Sequence, residues 1–416
     1  MKKAALGGLV LGVCTTLLTG CCSPHGVPTH ITFDPAGTHV AYLWEDHWDG
    51  PVVDGKIWRR TISLHWCAAD MPEKQSSVMI DMLGADFKGY VSVPMEIKWS
   101  PSGTHVGVLT PQKFVLVDVK TKRTHVVKDS GTIKSFAWLS NDEIVYCARR
   151  LAKGNQQRVI CRQTVTSAQR TDVVAFDWYS EMEYTWQEHW SPSGEYVVVM
   201  EPALRGRFHM VDVQAATARP FGQGKAHDEG VAWSRDSKQA FCVSDTVGPA
   251  DSYEALLVST NAEILADCTQ KFRESFADDG YGPSLEPFWT TDGTYVIGNR
   301  LKTGGCLIQP SPWRIVPLGE ILSSRQEVPE ETTTSPWIFW MPTPGWVTVL
   351  PTGNEGNSPI KYAATYSGRS LVPLLKTDLR TEPRWALSPD GTKVATVDYE
   401  KRVRVHTTPE LSADCE

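Results

Sequence analysis

Trp99-Ser100-Pro101-Ser102-Gly103-Thr104-His105-Val106-Gly107-Val108 and Trp190-Ser191-Pro192-Ser193-Gly194-Glu195-Tyr196-Val197-Val198-Val199 are two copies of one pattern. A large apolar residue ends one run, Ser, Pro and Gly make a tight turn, and an alternating β-branched run follows. Six weaker copies occur, at Phe33-Asp34-Pro35-Ala36-Gly37, Trp138-Leu139-Ser140-Asn141-Asp142, Trp233-Ser234-Arg235-Asp236-Ser237, Trp289-Thr290-Thr291-Asp292-Gly293, Trp340-Met341-Pro342-Thr343-Pro344 and Leu387-Ser388-Pro389-Asp390-Gly391. The anchors lie 66, 39, 52, 43, 56, 51 and 47 residues apart, which suits one four-stranded propeller blade of about 40–50 residues per unit.

Working outward from the turn, a second strand pairs back, as in Thr104–Leu109 or Tyr196–Met200. A third follows, as in Phe114–Val119, Phe208–Val213 or Ile360–Thr365, and a weaker fourth closes the unit. A small four-stranded sheet cannot bury both faces alone, so the anchor Trp is expected between adjacent blades. The expected fold is therefore all-β, a β-propeller of four-stranded blades over residues 31–408. Eight anchors favour eight blades, while the first spacing and the degenerate unit at Trp340 leave seven open. The last unit supplies only three strands, so Pro24–Thr32 is expected to pair across the seam, bringing Cys22 towards Cys415.

The units resemble the WD-repeat-like propeller repeats of TolB and its relatives, whose hallmark is a Trp-Ser-Pro-Asp-Gly turn leading into an alternating strand. The resemblance covers residues 31–408 and implies the fold without implying a function. Gly-His and Trp-Asp dipeptides, which mark true WD repeats, are not periodic in this chain.

At 416 residues the chain is two to three times the usual domain size, which one large repetitive domain accommodates. A hydrophobic fraction of 41% with 16 Trp excludes general disorder. Lys and Arg number 41 against 48 Asp and Glu, a net charge of −7, the wrong sign for neutralising a phosphate backbone. Nucleic acid is thus not an expected partner.

Met1-Lys2-Lys3 is a basic start, residues 4–19 are apolar or small, and Leu18-Thr19-Gly20-Cys21 follows, a secretory signal by pattern. This ending resembles the lipobox of bacterial lipoproteins. The resemblance implies a signal peptide over 1–20, a diacylglycerol on Cys21, and an anchored segment over 21–30. Cys22 stands where Asp would retain the protein at the inner membrane, so the outer membrane is expected, with the protein facing the periplasm or the cell surface. No later stretch reaches the ~20 apolar residues of a spanning helix, so membrane contact is expected through the lipid alone. Residues 409–416 read as a C-terminal tail.

An exported chain with an even set of remaining cysteines suggests disulfides. Cys147 with Cys161 and Cys242 with Cys268 are the local pairs expected, with Cys22 and Cys415 a third candidate. No Cys-x-x-Cys occurs, so neither a zinc ribbon, a thioredoxin-like site nor a haem attachment is indicated, and no metal or other cofactor is expected.

Gly-x-Ser-x-Gly, His-Glu-x-x-His and the phosphate-cradling Gly-x-x-x-x-Gly-Lys loop are all absent. What remains is Glu96, Glu188, Glu229, Glu286 and Glu382, each just upstream of an anchor. The first strand of a blade lines the central channel, so these could form an acidic funnel attracting a basic peptide or a cation. Alternatively each carboxylate accepts hydrogen bonds within its own turn, because offsets of two to five residues break the side-chain parity of a strand. Two insertions mix aromatics and acids: Trp44–Gly50, containing Trp48, and Trp178–Glu188, containing Tyr184 and Trp186. Such surfaces suit peptide or glycan recognition, and they also suit loops folded over blade edges. His227-Asp228-Glu229 adds a polar triplet that a cation could use. The functional expectation is a lipid-anchored binding or scaffold module for an envelope protein, peptide or glycan. The alternatives are a propeller enzyme using channel carboxylates, or a purely structural protein.

Overall fold

A computed structural model describes residues 25–49, 58–83, 95–127, 133–152, 155–167, 169–177, 188–200, 207–222, 226–227, 230–246, 254–276, 284–289, 293–300, 304–317, 337–339, 346–350, 361–365, 371–374, 384–390, 392–397 and 400–407. Cys21, Cys22, Cys415, Glu229, Glu382, Trp178, Tyr184, Trp186 and the anchor Trp340 lie outside them, as do the side chains of Trp48 and Glu286.

The described strands fall into consecutive antiparallel groups, each running up and down in chain order. Sheet 1 is β1 (His25–Phe33), β2 (His39–Asp49), β3 (Trp58–Ala68) and β4 (Ser76–Leu83). Sheet 2 is β5 (Glu96–Trp99), β6 (His105–Leu109), β7 (Phe114–Asp118) and β8 (Thr124–Val126). Sheet 3 is β9 (Ile133–Trp138), β10 (Glu143–Ala152), β11 (Asn155–Thr164) and β12 (Arg170–Asp177). Sheet 4 is β13 (Glu188–Trp190), β14 (Tyr196–Met200), β15 (Phe208–Asp212) and β16 (Thr217–Phe221). Sheet 5 carries the short β17 (Ala226–His227) on β19, with β18 (Val231–Trp233), β19 (Gln239–Thr246), β20 (Glu254–Ser259) and β21 (Ile264–Asp267), followed by helix α1 (Thr269–Phe276). Sheet 6 is β22 (Ser284–Trp289), β23 (Val296–Arg300), β24 (Gly304–Gln309) and β25 (Arg314–Pro317). Sheet 7 is β26 (Trp337–Phe339), β27 (Trp346–Leu350), β28 (Lys361–Thr365) and β29 (Leu371–Leu374), and sheet 8 is β30 (Arg384–Leu387), β31 (Lys393–Val397) and β32 (Val403–Thr407).

The second strands are buried on both faces, and β14 shows why. Val197 and Val199 pack against sheet 3, whereas Val198 and Met200 pack against sheet 5. A sheet held between two neighbours needs apolar side chains at every position, which is why these runs are continuous in Val rather than polar at alternate residues. Further cores join sheets 1 and 2, 2 and 3, and 5 and 6. In the last of these Phe272 and Phe276 of α1 supply part of the packing.

The anchors lie where the sequence suggests, between adjacent sheets. Trp99 packs against sheet 1, Trp138 against sheet 2, Trp190 against sheet 3, Trp233 against sheet 4 and Trp289 against sheet 5. Several indoles also donate to the first strand of the sheet before. Trp138 Nε1 bonds the Lys98 carbonyl at 3.0 Å, Trp190 Nε1 the Ser135 hydroxyl at 2.9 Å, Trp233 Nε1 the His189 carbonyl at 2.9 Å and Trp289 Nε1 the Ala232 carbonyl at 2.9 Å. Successive first strands therefore stand side by side, and β18 and β22 pair in parallel at Trp233 and Phe288. First strands ranked in parallel around an axis, with sheets packed face to face, define a β-propeller.

The seam differs from expectation. Residues 25–33 do not complete the last sheet but form β1, the inner strand of sheet 1, paired with β2. Sheet 8 keeps three described strands and closes on sheet 1 through side-chain packing. Ala386, Ala395, Val397 and Val403 meet Ile31, Tyr42, Trp44 and Cys67 in one core.

Both local disulfides expected from the sequence are corrected. Cys161 stands opposite Tyr146 and Cys147 opposite Ile160, so the two cysteines are one residue out of register and leave opposite faces of sheet 3. Cys161 enters the core with sheet 2 and Cys147 the core with sheet 4. Cys242 faces sheet 4 while Cys268 faces sheet 6, and all four thiols are unbridged.

Candidate functional site

Up-and-down sheets sort their connections by end. The first-to-second and third-to-fourth turns meet at one end, here the tight-turn end. The second-to-third turns and the links between sheets meet at the other, the long-connection end.

The tight-turn end is built from the repeated motif. In sheets 2, 4, 5 and 8 the residue after the anchor is a buried serine whose side chain accepts the backbone N–H five residues later: Ser100 from His105 at 3.0 Å, Ser191 from Tyr196 at 3.1 Å, Ser234 from Gln239 at 2.9 Å and Ser388 from Lys393 at 2.9 Å. Asp34 performs this role in sheet 1, accepting from the Thr38 and His39 backbones at 2.6 and 2.9 Å. The turn then needs a left-handed residue, supplied by Gly194 at φ +71°. A Cβ there would lie 2.5 Å from the Trp138 carbonyl of the preceding sheet, so the turn also seals the joint between sheets. Across the seam, Lys393 Nζ donates to the Gly37 carbonyl at 3.1 Å.

The long-connection end takes the starts of the inner strands, and with them the candidate glutamates. Glu188 opens β13 and is two residues from Trp190, so it shares the anchor's face and turns into the joint with sheet 3. There it forms an ion pair with Arg158, both side chains 3% exposed, and accepts from Ser135 Oγ at 2.9 Å. Burial lowers the Arg158 pKa, opposed by the Glu188 charge. Glu188 therefore does not line an open funnel. Glu96 opens β5 three residues before Trp99 and takes the other face. Lys98 Nζ lies 2.5 Å from its Oε1, 2.6 Å from the Phe136 carbonyl and 5.1 Å from the Phe136 ring centre. Glu286 lies within β22. Glu229 and Glu382, outside the described residues, precede β18 and β30 in the chain.

Of the aromatic insertions, the first is strand rather than loop through Asp49: Trp44 to Asp49 continue β2 and pair with β3. Trp44 is buried at the seam, its Nε1 donating to Asp46 at 2.6 Å while Lys401 Nζ lies 4.7 Å over the ring. Tyr42 OH bonds Gln75 at 2.8 Å, and His65 stacks on Tyr42 with ring centres 5.0 Å apart. Burial, aided by Lys401, lowers the His65 pKa to about 4. The second insertion joins β12 to β13 and so belongs to the same long-connection end.

Sequence reading missed a cleft of about 500 Å³ between sheets 1 and 2, lined among others by His39, Trp66, Lys74, Gly103, Asp118 and Lys120. No motif marks it, because its walls come from turns distant in the chain. Cys67 lines it too, but burial lifts that thiol to about 11, which withholds a thiolate nucleophile at neutral pH. Among the described residues no group of three or more His, Cys, Asp or Glu is placed to hold a metal ion. His227 pairs with Asp245 in the short β17–β19 ladder.

No protein-family model matches the chain, and no curated protein matches it. Solved structures similar to it include the acylaminoacyl peptidase of Pyrococcus horikoshii, at 11% identity over 89% of this chain and 57% of that one, with a TM-score of 0.49. The β-propeller domain of the Trilobed protease from Pyrococcus furiosus is 11% identical over 86% of this chain and 99% of that one, with a TM-score of 0.45. TolB from Acinetobacter baumannii is 12% identical over 76% of this chain and 78% of that one, with a TM-score of 0.36.

Proposed function

We propose that the protein is an eight-bladed, lipid-anchored envelope propeller acting as a binding or scaffold module. Diacylglycerol on Cys21 holds it to the outer membrane, and its long-connection end presents the recognition surface for an envelope protein, peptide or glycan. The observation that carries this reading is the division between the ends. One is a repeated lattice of buried hydroxyls and left-handed turns, while the other carries the longer connections, such as 84–95, 178–187 and 318–336, with the aromatic and acidic residues. A rigid frame that positions variable loops is the usual construction of a binding surface. Binding is favoured over glycan or peptide cleavage because Glu188 sits on Arg158 and Glu96 on Lys98, which leaves neither as one of a facing acid and base pair.

Two experiments test it. Cys21→Ser should abolish metabolic incorporation of labelled fatty acid, and continued labelling overturns the anchor. Crosslinking in intact cells should lose its captured partners when Trp178, Tyr184 and Trp186 are all replaced by Ala. Unchanged capture would remove recognition from this end.

A further inference from the structure

The third-to-fourth turn of sheet 1 is longer than those of sheets 2 to 6. It spans seven residues, 69–75, whereas the others span 119–123, 165–169, 213–216, 260–263 and 310–313, four or five each. The cleft of about 500 Å³ opens beside this longer turn. One wall is the end of β3 with the turn and the start of β4, and the other is the β5–β6 turn with the end of β7. Small-molecule sites occupy about 300–1,000 Å³, so the volume suits one. Both walls belong to the tight-turn end, opposite the surface proposed for the envelope partner.

Each wall brings a lysine, Lys74 from sheet 1 and Lys120 from sheet 2. Among the described residues neither has a carboxylate partner, and Lys74 Nζ meets the Met71 thioether at 3.5 Å, a weak acceptor. Asp118, the carboxylate of the lining, is committed to its own turn, its Oδ1 accepting from the Lys120 and Thr121 backbones at 2.9 Å each. Those bonds, the one from Thr121 foremost, hold its carboxyl below the usual carboxylate range, so it stays charged at neutral pH. The two lysines and Asp118 leave a balance of one positive charge. That balance suits a monoanion, whereas a dianion would be repelled by Asp118. Much of the remaining lining is apolar: Trp66 and Cys67, 4% and 2% exposed, and the half-buried Val119. An anion with an apolar body would remove that surface from water while its charge meets the lysines.

We propose that this cleft binds a small organic monoanion, a carboxylate on an apolar body, with the carboxylate between Lys74 and Lys120 and the body against Trp66 and Val119. A ligand held in this way bridges sheets 1 and 2. The site is separate from the recognition surface at the other end and does not depend on it. A free carboxylic acid and the C-terminal apolar residue of a peptide offer the same chemistry, and competition distinguishes them. In the test, full-length protein is irradiated with 4-benzoylbenzoate, a photoreactive aromatic monoanion, and the labelled residues are located by peptide mass spectrometry. Labelling is expected within residues 66–76 and 103–120, several-fold above that given by the neutral 4-benzoylbenzamide. It should fall several-fold in the double variant Lys74→Gln with Lys120→Gln and persist in Lys74→Arg with Lys120→Arg. Both lysines are exposed, and thermal unfolding matched to the parent shows that each variant folds. The competitors are 4-phenylbutyrate and the peptide alanyl-alanyl-phenylalanine, each against its amide. Protection by 4-phenylbutyrate assigns the site to a free acid, and stronger protection by the peptide assigns it to a chain terminus. Equal labelling by the acid and amide probes, labelling unchanged in the glutamine variant, labelling concentrated elsewhere, or protection by neither acid overturns the proposal.

Discussion

The two ends of the propeller are held by different chemistry. At the tight-turn end one solution recurs: a buried hydroxyl or carboxylate follows the anchor in sheets 1, 2, 4, 5 and 8, a left-handed residue turns the chain in sheets 1, 2, 4 and 5, and the Trp138, Trp190, Trp233 and Trp289 indoles reach back to the previous sheet. At the long-connection end each joint is its own solution. Sheets 3 and 4 meet through Arg158 and Glu188, while sheets 1 and 2 meet through the buried Asp81, which accepts from Thr110 Oγ at 2.7 Å and pairs with Lys113 at 3.0 Å. A repeated joint spreads stability over many small equivalent contributions. A singular joint concentrates it.

The contrast makes losing one partner of a singular joint the largest effect. Arg158→Leu leaves Glu188 buried with the Ser135 hydroxyl but no counter-charge, which should cost about 3–5 kcal/mol, and Arg158→Leu with Glu188→Leu should recover much of it. Denaturant unfolding of the three proteins measures both changes. An unperturbed single variant would show that the pair is solvated and that the ends do not differ in this way.

At the repeated end, Gly194→Ala should cost more than about 1 kcal/mol, because it combines an unfavourable φ with a collision against the Trp138 carbonyl. Ser191→Ala should cost about 1 kcal/mol by leaving the Tyr196 N–H without its hydroxyl. A loss at Ser191 as large as that at Arg158 would erase the distinction between lattice and singular joint.

Acid should act through the half-buried histidines. Burial holds His65, helped by Lys401, and His189 at about 4, below the value of 6.5 for an unperturbed histidine. The unfolded chain then binds protons that the folded one does not, so the stability from these groups is full above pH 6.5 and is lost as pH falls towards 4. His65→Gln should flatten the thermal midpoint over that window. An unchanged slope would clear the seam of any part in acid sensitivity.

The smallest stability effect is expected from the long connections. Replacing Trp178, Tyr184 and Trp186 with Ala should change stability by less than about 0.5 kcal/mol while removing partner capture, and Glu229→Gln with Glu382→Gln should weaken capture as added salt does. Unfolding of either variant would place those residues in the frame rather than on the surface.

The repeat was legible in the sequence because a tight turn is local chemistry. Ser100, Gly103 and Val106 lie within seven residues, and the same constraints recur wherever a blade turns, so fold class, anchor burial and turn positions follow from the chain alone. The disulfides were not legible, since sequence distance places Cys147 and Cys161 on neighbouring strands while a one-residue register offset sends them to opposite faces. Nor was the role of Glu188, which depends on Arg158 of another sheet, nor the identity of β1, which pairs with β2 while sheet 8 packs on sheet 1 through its side chains. Gly107 belongs with these. It reads as a weak residue in a strand, yet a Cβ there would meet the Phe136 ring at 2.6 Å. Local hydrogen bonding and periodicity are written in consecutive residues, whereas register, facing and charge pairing between sheets are set only when distant segments pack together, and those decided which candidates became frame and which remained surface.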